Sequence, residues 1–247
     1  MTALRVERDG ALLRVAMARP ERRNAFDASL IAELTDAFAD VGAARVVILS
    51  GDGPSFSAGA DVEWMRSSVE LTHDENVADA LRLRAMLDAI DGCPAPVVAR
   101  VQGHALGGGC GLVACADIAI ASPDAQFAFS EVKLGIVPAV ISPFALAKIG
   151  SSAARRYFVT GERFGADVAL RIGLVHEVAE DLDGAVEHVV GELLGAAPNG
   201  ARAAKELARA PLSAEETAER IAAHRTSDEG QDGLRAFLEK RSPSWRD

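Results

Sequence analysis

Apolar and polar residues alternate from Leu4 to Glu7 and again from Ala11 to Met17, on either side of Asp9-Gly10, so the chain opens with a predicted β-hairpin. The period then changes. Leu30, Ile31, Leu34 and Phe38 recur at helical spacing behind Asp27, a residue suited to capping a helix, and Arg45 to Ser50 is a short β-branched run ending in Gly-Asp-Gly-Pro. That pattern predicts a strand entering a loop. A second helix fits Glu75 to Ile90, Gly92 to Pro96 reads as a turn, and Val97 to Val101 as a strand. A glycine cluster then leads into Leu112 to Ala116, followed by the apolar strand Ile118 to Ala121. The order of strand, helix, strand and loop at unequal lengths predicts an α/β fold of stacked ββα units, not a regular dinucleotide-binding sheet.

Beyond Val178 the β-branched residues thin out and Ala, Glu and Arg dominate, which predicts helices near 181–195, 199–209, 213–225 and 228–240. Four short helices with narrow apolar stripes rarely form a core of their own. Leu193, Leu194, Leu207, Ile221, Leu234, Phe237 and Leu238 therefore need a surface to cover, on the main domain or on a neighbouring subunit. The expected organisation is a core over 1–180 and a helical region over 181–247.

Composition narrows the function classes. With 247 residues, 49% of them hydrophobic, the chain can bury one sizeable core, and its net charge of −10 repels nucleic acid and anionic membranes. Cys93, Cys110 and Cys115 are odd in number, lack metal-ligand spacing and sit among small or apolar residues, which favours reduced thiols and a cytoplasmic location. No apolar signal core opens the sequence, and no uncharged apolar run approaches the roughly 20 residues that span a bilayer.

Candidate chemistry begins with Ala105-Leu106-Gly107-Gly108-Gly109-Cys110, followed by Gly111, with a carboxylate, Glu131, twenty residues later. Glycines at such a turn let the backbone leave amide donors free for an oxygen that gains negative charge. The contiguous glycines do not fit a dinucleotide fingerprint, there is no phosphate-cradling Walker loop, and the five histidines lack metalloprotease spacing. His104 beside the glycine turn reads as a packed, hydrogen-bonded neighbour. A second donor segment is Phe56-Ser57-Ala58-Gly59-Ala60-Asp61, where Asp61 can cap a helical turn over Val62 to Met65 and present the amide of Ala58. If that amide converges with one from 107–109, the pair forms an oxyanion hole. Phe127, Phe129 and Val132 offer apolar surroundings that would raise the proton affinity of Glu131. Asp117 reads as a backbone anchor, not a second acid.

These segments resemble the crotonase, or enoyl-CoA hydratase/isomerase, superfamily. The resemblance runs through Arg19-Pro20, Asn24-Ala25, Phe56 to Asp61, Gly103 to Cys110, Cys115 to Ile118, Ser130-Glu131, Gly135 to Pro138, Thr160 to Glu162, a Gly173-Leu174-Val175 strand and the tail Gly233 to Arg241. It implies a spiral of ββα units with a helical C-terminal trimerisation region, assembled as a trimer or a dimer of trimers. It further implies an acyl-CoA substrate, no separate cofactor, backbone amides of Ala58 and Gly108 holding the thioester oxygen, and Glu131 as general acid and base. A first glutamate used by many members would fall at Gly111, so this chain departs from the two-carboxylate pattern. Ala25, Ala60, Asp61, Val62 and Gly111 are implied to line the substrate site. Arg22 and Arg23 would meet the CoA nucleotide, and Lys240 a neighbour's CoA. The stretch Ser130 to Phe144, Val62 to Met65 and the tail Phe237 to Trp245 are similar to bacterial methylglutaconyl-CoA and isohexenylglutaconyl-CoA hydratases, with leucine degradation as the implied setting. A 3,2-enoyl-CoA isomerase and a non-catalytic acyl-CoA-binding scaffold are the alternatives.

Overall fold

The computed structural model describes residues 3–209 and 211–246; Met1 and Thr2 of the N-terminal segment, Ala210 and the tail's Asp247 lie outside the described residues. Strands β1 (Leu4–Asp9) and β2 (Leu12–Met17) pair antiparallel with Asp9 opposite Leu12, so the hairpin turn is Gly10-Ala11, one residue later than the sequence reading placed it. Gly10 takes φ +55°, a conformation that a side chain disfavours.

Helix α1 (Ala28–Ala39) starts where Asp27 accepts hydrogen bonds from the Ser29 and Leu30 amides, and it buries the four apolar residues that its period marks. Removing such a cap costs about 1 kcal/mol. Strand β3 (Val46–Gly51) follows, then the short α2 (Val62–Ser68) capped by Asp61, and α3 (His73–Asp91), which begins with a Thr72/Glu75 capping box. Next come β4 (Val97–Val101), β5 (His104–Leu106), α4 (Gly108–Cys115), β6 (Ile118–Ala121) and β7 (Gln126–Ala128). A 3-10 turn at Glu131–Leu134 leads to α5 (Ser142–Thr160), then β8 (Phe164–Gly165), α6 (Ala166–Arg171) and β9 (Glu177–Val178). Residues 173–175 form a turn with Gly173 at φ +82°, so the strand expected there is displaced to β9.

The main sheet has the order β1-β2-β3-β4-β6-β9, parallel except at its β1-β2 edge. Period-two alternation divides its side chains between two cores. Val47 and Leu49 join α1, α3 and α4 on one face, while Val46, Ile48, Val98 and Ile120 meet Leu182, Val186 and Val190 of α7 (Leu182–Gly195) on the other. A smaller sheet, β5-β7-β8, carries the glycine turn. Helices α8 (Pro198–Leu207), α9 (Ala214–Thr226) and α10 (Asp228–Glu239) complete the helical region close to the predicted bounds. Arg45 ties that region back to the core by donating to the carbonyls of Leu194, Ala196 and Trp245.

Asp117 is the anchor that the sequence reading expected. Its carboxylate accepts the Val97 amide at 2.7 Å and pairs with the nearly buried Lys205 at 2.7 Å, joining β4 to α8. Among the described residues, no helix is long and apolar enough to cross a membrane.

Candidate active site

Two segments distant in sequence are locked side by side. The Ser57 amide donates to the His104 carbonyl at 2.9 Å and the Leu106 amide to the Ser57 carbonyl at 3.0 Å, a parallel bridge that sets residues 57–61 against β5 and the glycine turn after it. Glycine is needed at this crossing. A Cβ on Gly59 would lie 2.5 Å from the Leu106 carbonyl oxygen, and one on Gly109 would lie 2.6 Å from that of Ser57.

The donor pair differs from the one expected. The Ala58 amide donates to the Arg23 carbonyl at 2.9 Å, so it is already satisfied and unavailable to a ligand. The amide of Ala60, two residues on, has no acceptor among the described hydrogen bonds. Its orientation follows from its peptide plane: the Gly59 carbonyl accepts the Phe26 amide at 2.8 Å, which turns the Ala60 N–H to the opposite side. Gly108 is held in the same manner. The Gly107 carbonyl accepts from the amides of Cys110 (2.9 Å) and Gly111 (3.3 Å), while the Gly107 amide donates to Ala128 of β7 at 2.8 Å. The Gly108 N–H is thus one of the free donors of the first turn of α4. Gly107 itself sits at φ 51°, ψ −119°, a geometry open to glycine.

Ala60, Gly108 and Glu131 line one cavity of about 240 Å3. Phe26, whose ring abuts Gly108, and Trp64, 6.3 Å from it between ring centroids, form one apolar wall; Leu83 and residues 136–141 form others. Its two acidic lining residues are Asp79, paired with Arg82 at 2.7 Å, and Glu131. Glu131 opens the 3-10 turn after β7, with Oε1 beside Gly107 and Oε2 buried without a hydrogen-bond partner. Burial pushes its carboxyl above the ordinary glutamate range.

Phe127 and Phe129 belong instead to the core behind, where Phe127 stacks on Phe164 and Phe129 meets Phe158 edge-on, and Val132 packs near Gly161. Gly111 lies under the cavity wall, facing Ile141 and Leu87. Of the other expected site residues, Ala25 is buried and its carbonyl accepts from Arg19, whereas Val62 is exposed on α2. Arg22 donates to Asp61 Oδ2 at 2.9 Å and Arg19 to the same oxygen at 3.3 Å. Burial alone would raise the Asp61 carboxyl, but the Arg22 hydrogen bond, the Glu63 amide and the two guanidinium charges hold it below its ordinary value. Arg23, at φ 52°, is exposed, and Lys240 caps α10 at φ 55°, apart from the residues lining this cavity.

Three further residues lie in segments quoted from the sequence but were given no role there. Asn24, fully buried, accepts the Arg19 amide and donates to the carbonyls of Asp52 and Ser55. The Ser57 hydroxyl donates to the Asn24 carbonyl and accepts the Gly59 amide. Ile141 stands immediately before α5. A buried polar side chain carries no mark in a lone sequence, although the family-like pair Asn24-Ala25 was a clue. Cys110 is buried beneath the turn, its thiol donating to the Ala105 carbonyl at 2.9 Å, and burial pushes that thiol far above its ordinary value.

A family profile described as enoyl-CoA hydratase/isomerase matches residues 7–247. Crotonyl-CoA hydratase of Syntrophomonas wolfei is 31% identical over 253 residues, covering 97% of this chain and 96% of the relative. The crystal structure of an enoyl-CoA hydratase from Shewanella pealeana superposes with a TM-score of 0.93 at 40% identity, covering 98% of this chain and 96% of the other. Pseudomonas aeruginosa AtuE superposes at a TM-score of 0.94 with 34% identity, covering 99% and 100%. With an α/β fold that superposes on solved enoyl-CoA hydratases and a family match along nearly its whole length, this chain belongs to the enoyl-CoA hydratase/isomerase family of the crotonase superfamily.

Proposed function

We propose that the protein is an enoyl-CoA hydratase that works with one carboxyl group. The observation that carries this is a single unpartnered carboxyl, Glu131, in the same cavity as two amides aimed away from their own clamped carbonyls. The thioester oxygen sits between the N–H groups of Ala60 and Gly108, which stabilise it as an enolate oxygen. Ionised Glu131 takes a proton from water as the hydroxyl oxygen bonds to the β-carbon and the double-bond electrons move toward the thioester. The protonated carboxyl then returns that proton to the α-carbon, leaving a 3-hydroxyacyl-CoA and Glu131 in its starting state. Names carried by relatives, crotonyl-CoA hydratase among them, support the same reaction.

The resemblance of Ser130 to Phe144 to methylglutaconyl-CoA hydratases adds 3-methylglutaconyl-CoA as a substrate to assay. The cavity lining gives the terminal carboxylate of such an acyl group no basic partner, which favours neutral acyl chains. Half-exposed Arg22 stands next to the donor segment through Asp61 and is positioned for a CoA phosphate, with Arg23 adjacent in the same turn. Phe237 is 82% exposed and Leu238 77% exposed on α10, apolar surface that a second subunit would cover, and Lys240 follows directly. A homotrimer or dimer of trimers is the proposed assembly.

Turnover of crotonyl-CoA and 3-methylglutaconyl-CoA by wild type and Glu131→Gln tests the reading. A general acid/base contributes about 10²–10⁴-fold, so a loss of that order is expected in kcat. Unchanged turnover in the variant would refute the role of Glu131. Product analysis in heavy-oxygen water distinguishes hydration, which incorporates the label, from isomerisation, which does not. Tight thioester binding without turnover of any substrate would point to a scaffold.

A further inference from the structure

Gly111 matters for what a side chain there would meet. A Cβ at this position falls 2.5 Å from Ile141 Cγ2, 3.1 Å from Ile141 Cβ and 3.6 Å from Leu87 Cδ2. Ile141 is 2% exposed, precedes the first residue of α5, and lines the same cavity as Glu131 and Gly108. From α4, the direction in which residue 111 would project is therefore occupied by a branched aliphatic side chain. A carboxyl group added at 111 would enter a close-packed aliphatic contact between α3, α4 and α5, with strain from overpacking and the cost of an unpaired polar group.

We propose that Ile141 is the residue that fixes this site at a single proton carrier. It takes the volume that a side chain at 111 would need and gives the reacting cavity an apolar wall on the side of α4. One proton carrier is then a property of the pair 111/141, not of Gly111 alone. The proposal rests on the acid/base reading of Glu131 and refines it: position 141 decides whether a second ionisable group can enter.

Two readouts test the pair, and the first needs no catalysis. In a helix interior, glycine to alanine ordinarily raises stability. Here Gly111→Ala is expected to lower Tm in the wild-type background and to raise it in an Ile141→Gly background, where both the Cγ2 and the Cβ that crowd the site are gone. Glycine is also tolerated at the position before a helix. Gly111→Glu should lower Tm further, with recovery on adding Ile141→Gly. The second readout is the pH profile of kcat/KM. Wild type should rise through one ionisation as Glu131 becomes a base. Gly111→Glu with Ile141→Gly should add a descending limb at higher pH, because one of two carboxyls sharing a cavity has its proton affinity raised strongly.

A stabilising Gly111→Ala in the wild-type background, or a second limb in Gly111→Glu with Ile141 intact, would overturn the proposal. So would a double variant with neither recovered Tm nor a second limb. Should Glu131→Gln keep full turnover, the acid/base reading falls while the opposite-sign Tm response still decides the steric pair.

Discussion

At the scale of single residues, the groups proposed to do the chemistry are few and are held in place by their neighbours. Glu131 is partly buried, with its Oε2 buried and unpartnered, an arrangement that lowers stability in exchange for reactivity. Because its proton affinity is higher in the folded chain than in the unfolded one, the native state holds more protons between the ordinary glutamate value and the raised one. Stability from this group is full below the ordinary value and is lost as pH rises through the folded value. Glu131→Gln should therefore have a higher Tm than wild type at neutral pH, with the gap shrinking as pH falls below the ordinary carboxylate range; scanning calorimetry at several pH values measures it. Ser57 works through the backbone, bonding both the Asn24 carbonyl and the Gly59 amide next to Ala60. Ser57→Ala leaves buried groups unpaired at about 1–3 kcal/mol. It is expected to reduce kcat more than it raises KM, and Ser57→Thr should restore part of the loss, as steady-state kinetics would show.

At the scale of elements, the hairpin and the longer helices follow from local pattern: α1, α3, α7, α9 and α10 each begin at a side chain that caps a backbone amide one turn on. The short strands do not. β5, β7, β8 and β9 have two or three residues each and exist through their pairing partners, so no local period marks them. The displacement of the expected 173–175 strand to β9 has this origin: Gly173 at φ +82° ends α6 in a turn, and pairing with β6 begins only at Glu177. Asp117 joins elements that sequence separates by 20 residues or more, β4 and α8, through Val97 and Lys205. Asp117→Ala leaves the 8%-exposed Lys205 ammonium without a counter-charge, with the Ala95 carbonyl at 3.4 Å as its remaining partner, and because Asp117 is 24% exposed the loss is expected to fall below the roughly 3–5 kcal/mol of a fully buried pair. Urea unfolding should show that loss, with kcat of the folded enzyme little changed.

At the scale of the whole molecule, one face of α10 presents Phe237, Leu238 and part of Leu234 to solvent in the single chain. Apolar area of this kind marks an interaction surface. On the proposed assembly the unaltered chain is expected to sediment as a trimer or a multiple of one, and Phe237→Asp with Leu238→Asp to shift it to a smaller species by light scattering. The family and the α/β architecture were legible in the sequence, and Glu131 stood out there as the candidate carboxyl, because motifs, caps and periods are local and survive without coordinates. Which amide is left without an acceptor was not. Ala58 and Ala60 are equally small and equally near Gly59, and the choice between them depends on Arg23, whose carbonyl satisfies Ala58, and on Phe26, whose amide fixes the Gly59 carbonyl. Likewise, Gly111 alone reads as a missing acid, and only the packing of α3 and α5 against α4 shows that its place is filled by Ile141. The sequence determined which residues could do the chemistry. Tertiary structure decided which backbone N–H groups remained free and which volumes remained open, because both are set by partners that the chain brings together only on folding.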